Sequence, residues 1–165
     1  MQEKKYMEIV KVILEHPEFI KRKEFQHHEE ESVYEHCLKV SKLAYLIAKK
    51  LHLKNPEEIA IGALLHDFYD KPWQNNTEKV PFFQQHGFVH ASQAVKNSKK
   101  YFPELMNERI EDMIEKHMFP LNIKPPKYIG SWIVNISDDI ISLNVFLHPT
   151  KLPKYVGIKK TKRKK

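Results

Sequence analysis

Glycine is scarce in this chain of 165 residues. Gly62, Gly87, Gly130 and Gly157 are the four present, and no two stand close enough to form a G-x-G or G-x-x-x-x-G loop. Rossmann and P-loop nucleotide sites need glycine where backbone meets phosphate, so both are excluded. Cysteine is nearly absent as well. The single Cys37 rules out an internal disulfide and any CxxC zinc site, and it fits a reducing, cytoplasmic compartment. No apolar run reads as a membrane span, because the longest, Ile129 to Leu147, carries Asp138 and Asp139 in its middle. The N-terminal stretch MQEKKYMEIVKVILEH places basic residues before apolar ones. Glu8 and Glu15 interrupt it and no small-residue cleavage site follows, so it reads as a helix rather than a leader.

A basic face on the body is lacking too. The formal net charge is +7, but eight of the 28 Lys and Arg fall in the last fifteen residues, KLPKYVGIKKTKRKK, which contain no acid. Residues 1–150 therefore carry 20 bases against 21 acids, and the basic character belongs to the end of the chain. The expected organisation is one helical domain over residues 1–150, followed by a basic tail over 151–165 whose composition suits disorder.

What is abundant is helical periodicity. Residues 3–15 place Tyr6, Ile9, Val10 and Ile13 on one stripe, and Pro17 closes or restarts that helix. Residues 27–31 (HHEEE) read as a polar loop. Ser32 and Glu35 have capping-box spacing, predicting a helix from about Val33, with an apolar face through Cys37, Val40, Ala44, Ile47 and Leu51. Asn55-Pro56-Glu57-Glu58 reads as a second start, with Asn55 at the N-cap and Pro56 at the first helical position. Residues 70–86 look irregular, and further helices are predicted at about 88–100, 104–117 and 128–147. Strand signals are weak, so the fold class is all-α, a helical bundle.

Ten histidines are many for such a domain. His16, His27, His28, His52 and His148 fall in loops or at helix ends and read as ordinary surface residues. His36 shares a stripe with Val33 and Val40. His66 and Asp67 end an apolar helix (AIGALLHD), and Asp138 lies between Val134 and Ile141. A buried carboxylate or imidazole is costly unless something pairs with it, and a metal ion is one such partner. His36, His66, Asp67 and Asp138 together form a mixed imidazole and carboxylate set. Such a set suits a divalent Mn, Fe, Co, Ni or Zn ion, held between the facing helices of a bundle.

This pattern resembles the HD-domain metal-dependent phosphohydrolases, whose motif is H…HD…D on separate helices of an all-α bundle. The match runs through His36 in SVYEHCLKVSKLA, His66-Asp67 in AIGALLHDFYD and Asp138 in SWIVNISDDIIS, and covers about Ser32 to Leu147. The resemblance implies one or two divalent ions. Two segments look like the second-ion motifs of the dinuclear branch. HGFVHA has His86 at the ligand position and His90 as an alternative four residues on, and IEKHMFP supplies His117. The chain is most similar to small HD hydrolases of Gram-positive bacteria.

One departure concerns HD-x-x-K, a pattern of several such hydrolases that places a Lys beside the metals. Here Asp70 takes that position and Lys71 follows it. Lys71 remains a candidate for neutralising substrate phosphate. Asp70 is either a general acid or base, or a structural residue at the helix end. Asp139 is the alternative to Asp138, which motif alignment favours.

The implied activity is hydrolysis of a nucleotide or another small phosphoester by metal-activated water, with Asp67 able to bridge two ions. Trp73, Phe82 and Phe83 either flank the pocket, where one could stack on a base, or simply pack. The GYP signature of the cyclic-di-GMP branch is absent, which disfavours that substrate. The rival reading is a non-catalytic HD scaffold that binds RNA or another anionic partner through the basic tail.

Overall fold

A computed structural model describes residues 2–28, 31–70 and 86–147. Lys71, Trp73, Phe82, Phe83, His148 and the basic tail, each named above, lie outside the described residues. The described chain contains seven α-helices: α1 (Gln2–Leu14), α2 (Pro17–Ile20), α3 (Val33–Lys50), α4 (Pro56–Leu65), α5 (His86–Tyr101), α6 (Glu108–Lys116) and α7 (Ile129–Leu147). The all-α class holds. None of the described helices is long and apolar enough to cross a membrane.

Two local expectations are corrected. His27, His28 and Glu31, expected in a polar loop, lie in strands. β1 (Gln26–His28) pairs antiparallel with β2 (Glu31–Ser32), with Gln26 opposite Ser32. A three-residue segment carries no usable alternation, and the pairing partner is needed to see it. Asn55 is the N-cap of α4 with Pro56 beginning the helix, as expected, but Asn55 sits in the left-handed region at φ 57° and its side chain makes no capping hydrogen bond. Asparagine tolerates that conformation, and the turn from His52 (φ 51°) depends on it.

The Ser32 start forms as expected, whereas α6 begins at Glu108, later than the expected 104. Ser32 caps α3, its hydroxyl accepting from the Glu35 amide (3.2 Å) while the Glu35 carboxylate accepts from the Ser32 amide (3.1 Å). On α6, the Asn107 side chain accepts from the amides of Arg109 and Ile110, both at 3.0 Å.

α3 is the central element, packed on α4 and α7. Val33, Cys37, Val40, Ala44 and Ala48 are fully buried along it, and full burial of a Val contributes on the order of 1.5–3 kcal/mol. One apolar cluster joins α1, Phe19, the start of α3 and the end of α4; a second joins α3 and α4 to Met113 of α6 and to Ile133, Val134 and Ile141 of α7. A polar relay crosses the first three long helices. The Tyr6 hydroxyl donates to Ser41 Oγ (3.0 Å), which donates to the Ala60 carbonyl (2.7 Å). Ser131 Oγ donates to Asp112 Oδ2 (2.6 Å), tying the start of α7 to α6.

The close approach of α4 and α6 requires glycine. A Cβ on Gly62 would lie 2.7 Å from Met113 Sδ and 2.9 Å from Met113 Cβ. Gly62→Ala is expected to push α6 away from the helix that ends in His66 and Asp67, costing about 1–3 kcal/mol, measurable as a lowered urea midpoint.

Candidate metal centre

Each polar residue of the cluster sits where a helix turns inward. His36 lies one turn inside α3, on its buried face, and is fully buried. His66 and Asp67 follow the last turn of α4 and are buried. His90 projects from the first turns of α5, and His117 ends α6; both are buried. Asp138 lies midway along α7. The last turn of α6 is held by Asn135, whose Nδ2 donates to the carbonyls of His117 (2.5 Å) and Phe119 (2.8 Å).

The carboxylate of Asp67 stands between two sets of imidazoles. Its Oδ2 lies 3.6 Å from Nε2 of His66 and 3.6 Å from Nε2 of His27. Its Oδ1 lies 3.4 Å from His90 Nε2 and 3.6 Å from His117 Nε2. On the first side, Asp138 Oδ1 lies 2.9 Å from His36 Nε2 and 3.7 Å from His66 Nε2. On the second, the Nε2 atoms of His90 and His117 are 3.0 Å apart. Neighbouring donors on one ion, with metal–ligand bonds of about 2.1 Å, are separated by about 3.0–3.4 Å, and the separations here, from 2.9 to 3.7 Å, lie near that range.

The tautomers point the same way. His66 Nδ1 donates to the Ala63 carbonyl and His117 Nδ1 to the Ile114 carbonyl, both at 2.7 Å. With Nδ1 engaged by a backbone carbonyl, each ring turns its Nε2 toward Asp67, as the atom that would ligate an ion once unprotonated. His66 Nε2 and Asp67 Oδ1 are buried and have no hydrogen-bond partner. Two buried polar atoms left without a hydrogen-bond partner inside such a cluster are costly unless a cation serves them, and this donor set fits a divalent metal ion.

Protons show the same demand. Burial disfavours the His66 imidazolium, yet Asp67 and then Asp138 raise its pKa to about 9. His117 is pushed down to about 3, by burial and then by His66 and His90. Asp67 stays ionised well below the ordinary carboxylate range: burial opposes ionisation, but His66 and the other imidazoles around it overcome the penalty. Asp138 behaves likewise through His36 and His66.

The HD-domain family profile matches residues 33–143, from the first residue of α3 into the last turns of α7. The chain belongs to the HD-domain family. That family is one of metal-dependent phosphohydrolases, and the buried His and Asp groups are compatible with metal binding. No curated protein and no solved structure matches the chain.

Of the residues singled out in the sequence, the structure brings together His36, His66, Asp67, His90, His117 and Asp138. The side chain of His86 lies outside the described residues, and His90 is the one of the pair seen in the cluster. Asp139 is exposed, next to the cluster residue Asp138 in sequence but outside the cluster. Asp70 is mostly exposed, and its Oδ1 accepts from Asn97 (2.8 Å) and lies 3.5 Å from Arg22 Nη2. It thus ties the turn after His66-Asp67 to α5 and to the N-terminal segment.

His27 overturns its reading as a surface residue. Its ring stacks on His36, with centroids 3.8 Å apart and planes within 15°. Nothing in HHEEE signals this, because the burial arises from the strand pair that folds the segment over α3. His16 accepts from the Glu18 amide (3.2 Å) as the N-cap of α2.

Proposed function

We propose that this HD-domain protein hydrolyses a nucleotide or another small phosphoester, using one or two divalent ions held by His36, His66, Asp67, His90, His117 and Asp138. The observation that supports the reading is the buried Asp67 carboxylate with imidazole Nε2 atoms close to both of its oxygens. His36, His66, Asp67 and Asp138 surround one position; His90, His117 and the other oxygen of Asp67 surround the second. Mn, Fe, Co, Ni and Zn all suit such a nitrogen and carboxylate set.

When bound, the metal would supply a water of lowered pKa as nucleophile and a positive field for the phosphoryl oxygens. The chain's own residues do the rest. The carbonyls of Ala63 and Ile114 hold His66 and His117 by Nδ1, in the orientation that turns their Nε2 atoms toward Asp67. Asp67 and Asp138 stay anionic, so their two charges balance one divalent ion, and a second ion would leave an excess of positive charge that favours an anionic substrate. Burial of these groups keeps bulk water away and strengthens each interaction. Lys71, four residues after Asp67 in sequence, is proposed to neutralise substrate phosphate. Asp70 is proposed to position the turn, since it is engaged by Asn97 and Arg22.

The test is elemental analysis of protein loaded with Mn and then dialysed, followed by a screen of nucleoside phosphates, dinucleoside polyphosphates and aryl phosphoesters. The expected result is one or two retained ions per chain and metal-dependent turnover of at least one class. Protein that retains no metal and hydrolyses nothing would overturn the proposal.

A further inference from the structure

The family match begins at Val33, yet a residue upstream of it reaches the cluster. His27 is placed from two directions. On one side, β1 is paired with β2 immediately before α3, and the Val33 amide donates to the Phe25 carbonyl (2.8 Å). On the other, Arg22 anchors the base of the segment. Its guanidinium is buried over the rings of Phe25 (4.8 Å) and Phe68 (4.6 Å), close to Asp70. Phe68 directly follows Asp67, so the arm is fastened to the HD turn itself. The result is a half-buried imidazole stacked on His36, with Nε2 at 3.6 Å from Asp67 Oδ2. One donor atom each from His27, His36 and Asp67 lie within 4.8 Å of one another.

We infer that His27 is a further ligand of the ion on the Oδ2 side of Asp67, delivered by the N-terminal arm. This rests on the metal-centre reading above. With His27, the donors on that side become His27, His36, His66, Asp67 and Asp138. A donor added by the arm would take a place at the ion that would otherwise be open to water or a phosphoryl oxygen. Three imidazoles also shift the site away from Mg and Ca, which take oxygen ligands, and toward a first-row transition ion. The arm thereby makes metal affinity depend on a segment outside the matched HD region. Detaching it at Arg22 is expected to loosen the same ion.

The experiment is titration of the full-length protein with Mn(II), followed by electron paramagnetic resonance for free ion and by water-proton relaxation for the number of coordinated waters. His27→Ala is expected to weaken the tighter site at least about tenfold and to add one exchangeable water to its ion. His27→Gln keeps the bulk and a hydrogen bond but ligates poorly, and it is expected to behave as His27→Ala does while retaining the wild-type circular dichroism and melting temperature of the metal-free protein. Wild-type affinity and relaxivity in the folded Gln variant would overturn the role of His27 and leave the metal centre standing. No binding by the wild type would overturn both.

Discussion

Asp67→Ala protein is expected to emerge from Mn loading and dialysis with no retained ion, and to show no measurable hydrolysis of any phosphoester that the wild type turns over. The expectation follows from where the two oxygens of one side chain point. Oδ2 faces His66 and His27, and Oδ1 faces His90 and His117. Removing the carboxylate deletes a donor from both positions at once and leaves Asp138 as the one carboxylate among the imidazoles named above. The site would then hold a divalent ion with half of its negative charge and without the donor shared by the two positions. His117, already held as a neutral base by burial and by its neighbours, would lose the anion that partly offsets them. The loss of rate should exceed about a thousandfold, because the nucleophile and the stabilisation of the transferred phosphoryl group depend on the same ions. His117→Ala separates the two positions. It removes a donor from the Oδ1 side only, so a second ion should be lost while the first is retained. Full activity and full metal content in Asp67→Ala would sink the hydrolase reading.

Much of this centre is legible before any coordinates, and the reason is energetic. His36, His66, Asp67 and Asp138 each interrupt an apolar stripe of a predicted helix, and buried polar groups are tolerated only with partners. The capping box at Ser32 is equally legible, since both of its hydrogen bonds close within three residues. His86 and His90 are harder. They stand four residues apart on one helix, so periodicity assigns them the same face, and only the approach of α5 to α6 places His90 Nε2 at 3.0 Å from His117. His27 is not legible at all. Its neighbours are polar and its strand is three residues long. The partner that buries it, His36, belongs to another element. Arg22 is hidden for the same reason. It stands in a Lys/Arg run (KRK), yet it is buried against two rings supplied by Phe25 and Phe68. Local rules find the residues that are awkward within their own helix. They miss those whose setting is made by two segments meeting.

The proton and the metal compete for the same lone pairs, and that competition fixes a pH dependence. In the metal-free protein His66 has its pKa raised to about 9; burial opposes this, and Asp67 and Asp138 outweigh it. The unfolded value is about 6.5, so this group stabilises the metal-free fold fully below pH 6.5 and ceases to do so as pH rises through 9, a loss of about 3 kcal/mol. His117 has the opposite sign. Depressed to about 3 by burial and then by His66 and His90, it refuses a proton that the unfolded chain accepts, so its contribution falls as pH drops below 6.5. His36 is lowered in the same direction, by burial and then by His27. Metal-free protein should therefore be most stable near pH 6.5. Metal binding runs against His66: the ion needs its Nε2 lone pair, so one proton must leave. Affinity should tighten by roughly tenfold per pH unit up to about pH 9, where the proton is already gone. The melting temperature gap between metal-loaded and chelator-treated protein should accordingly widen from pH 6.5 to 9, through a fall in the chelated protein and tighter binding in the loaded one. Differential scanning calorimetry across that range measures it. A gap that stays constant with pH would show that no proton leaves the site when the ion enters, which is incompatible with His66 as a ligand.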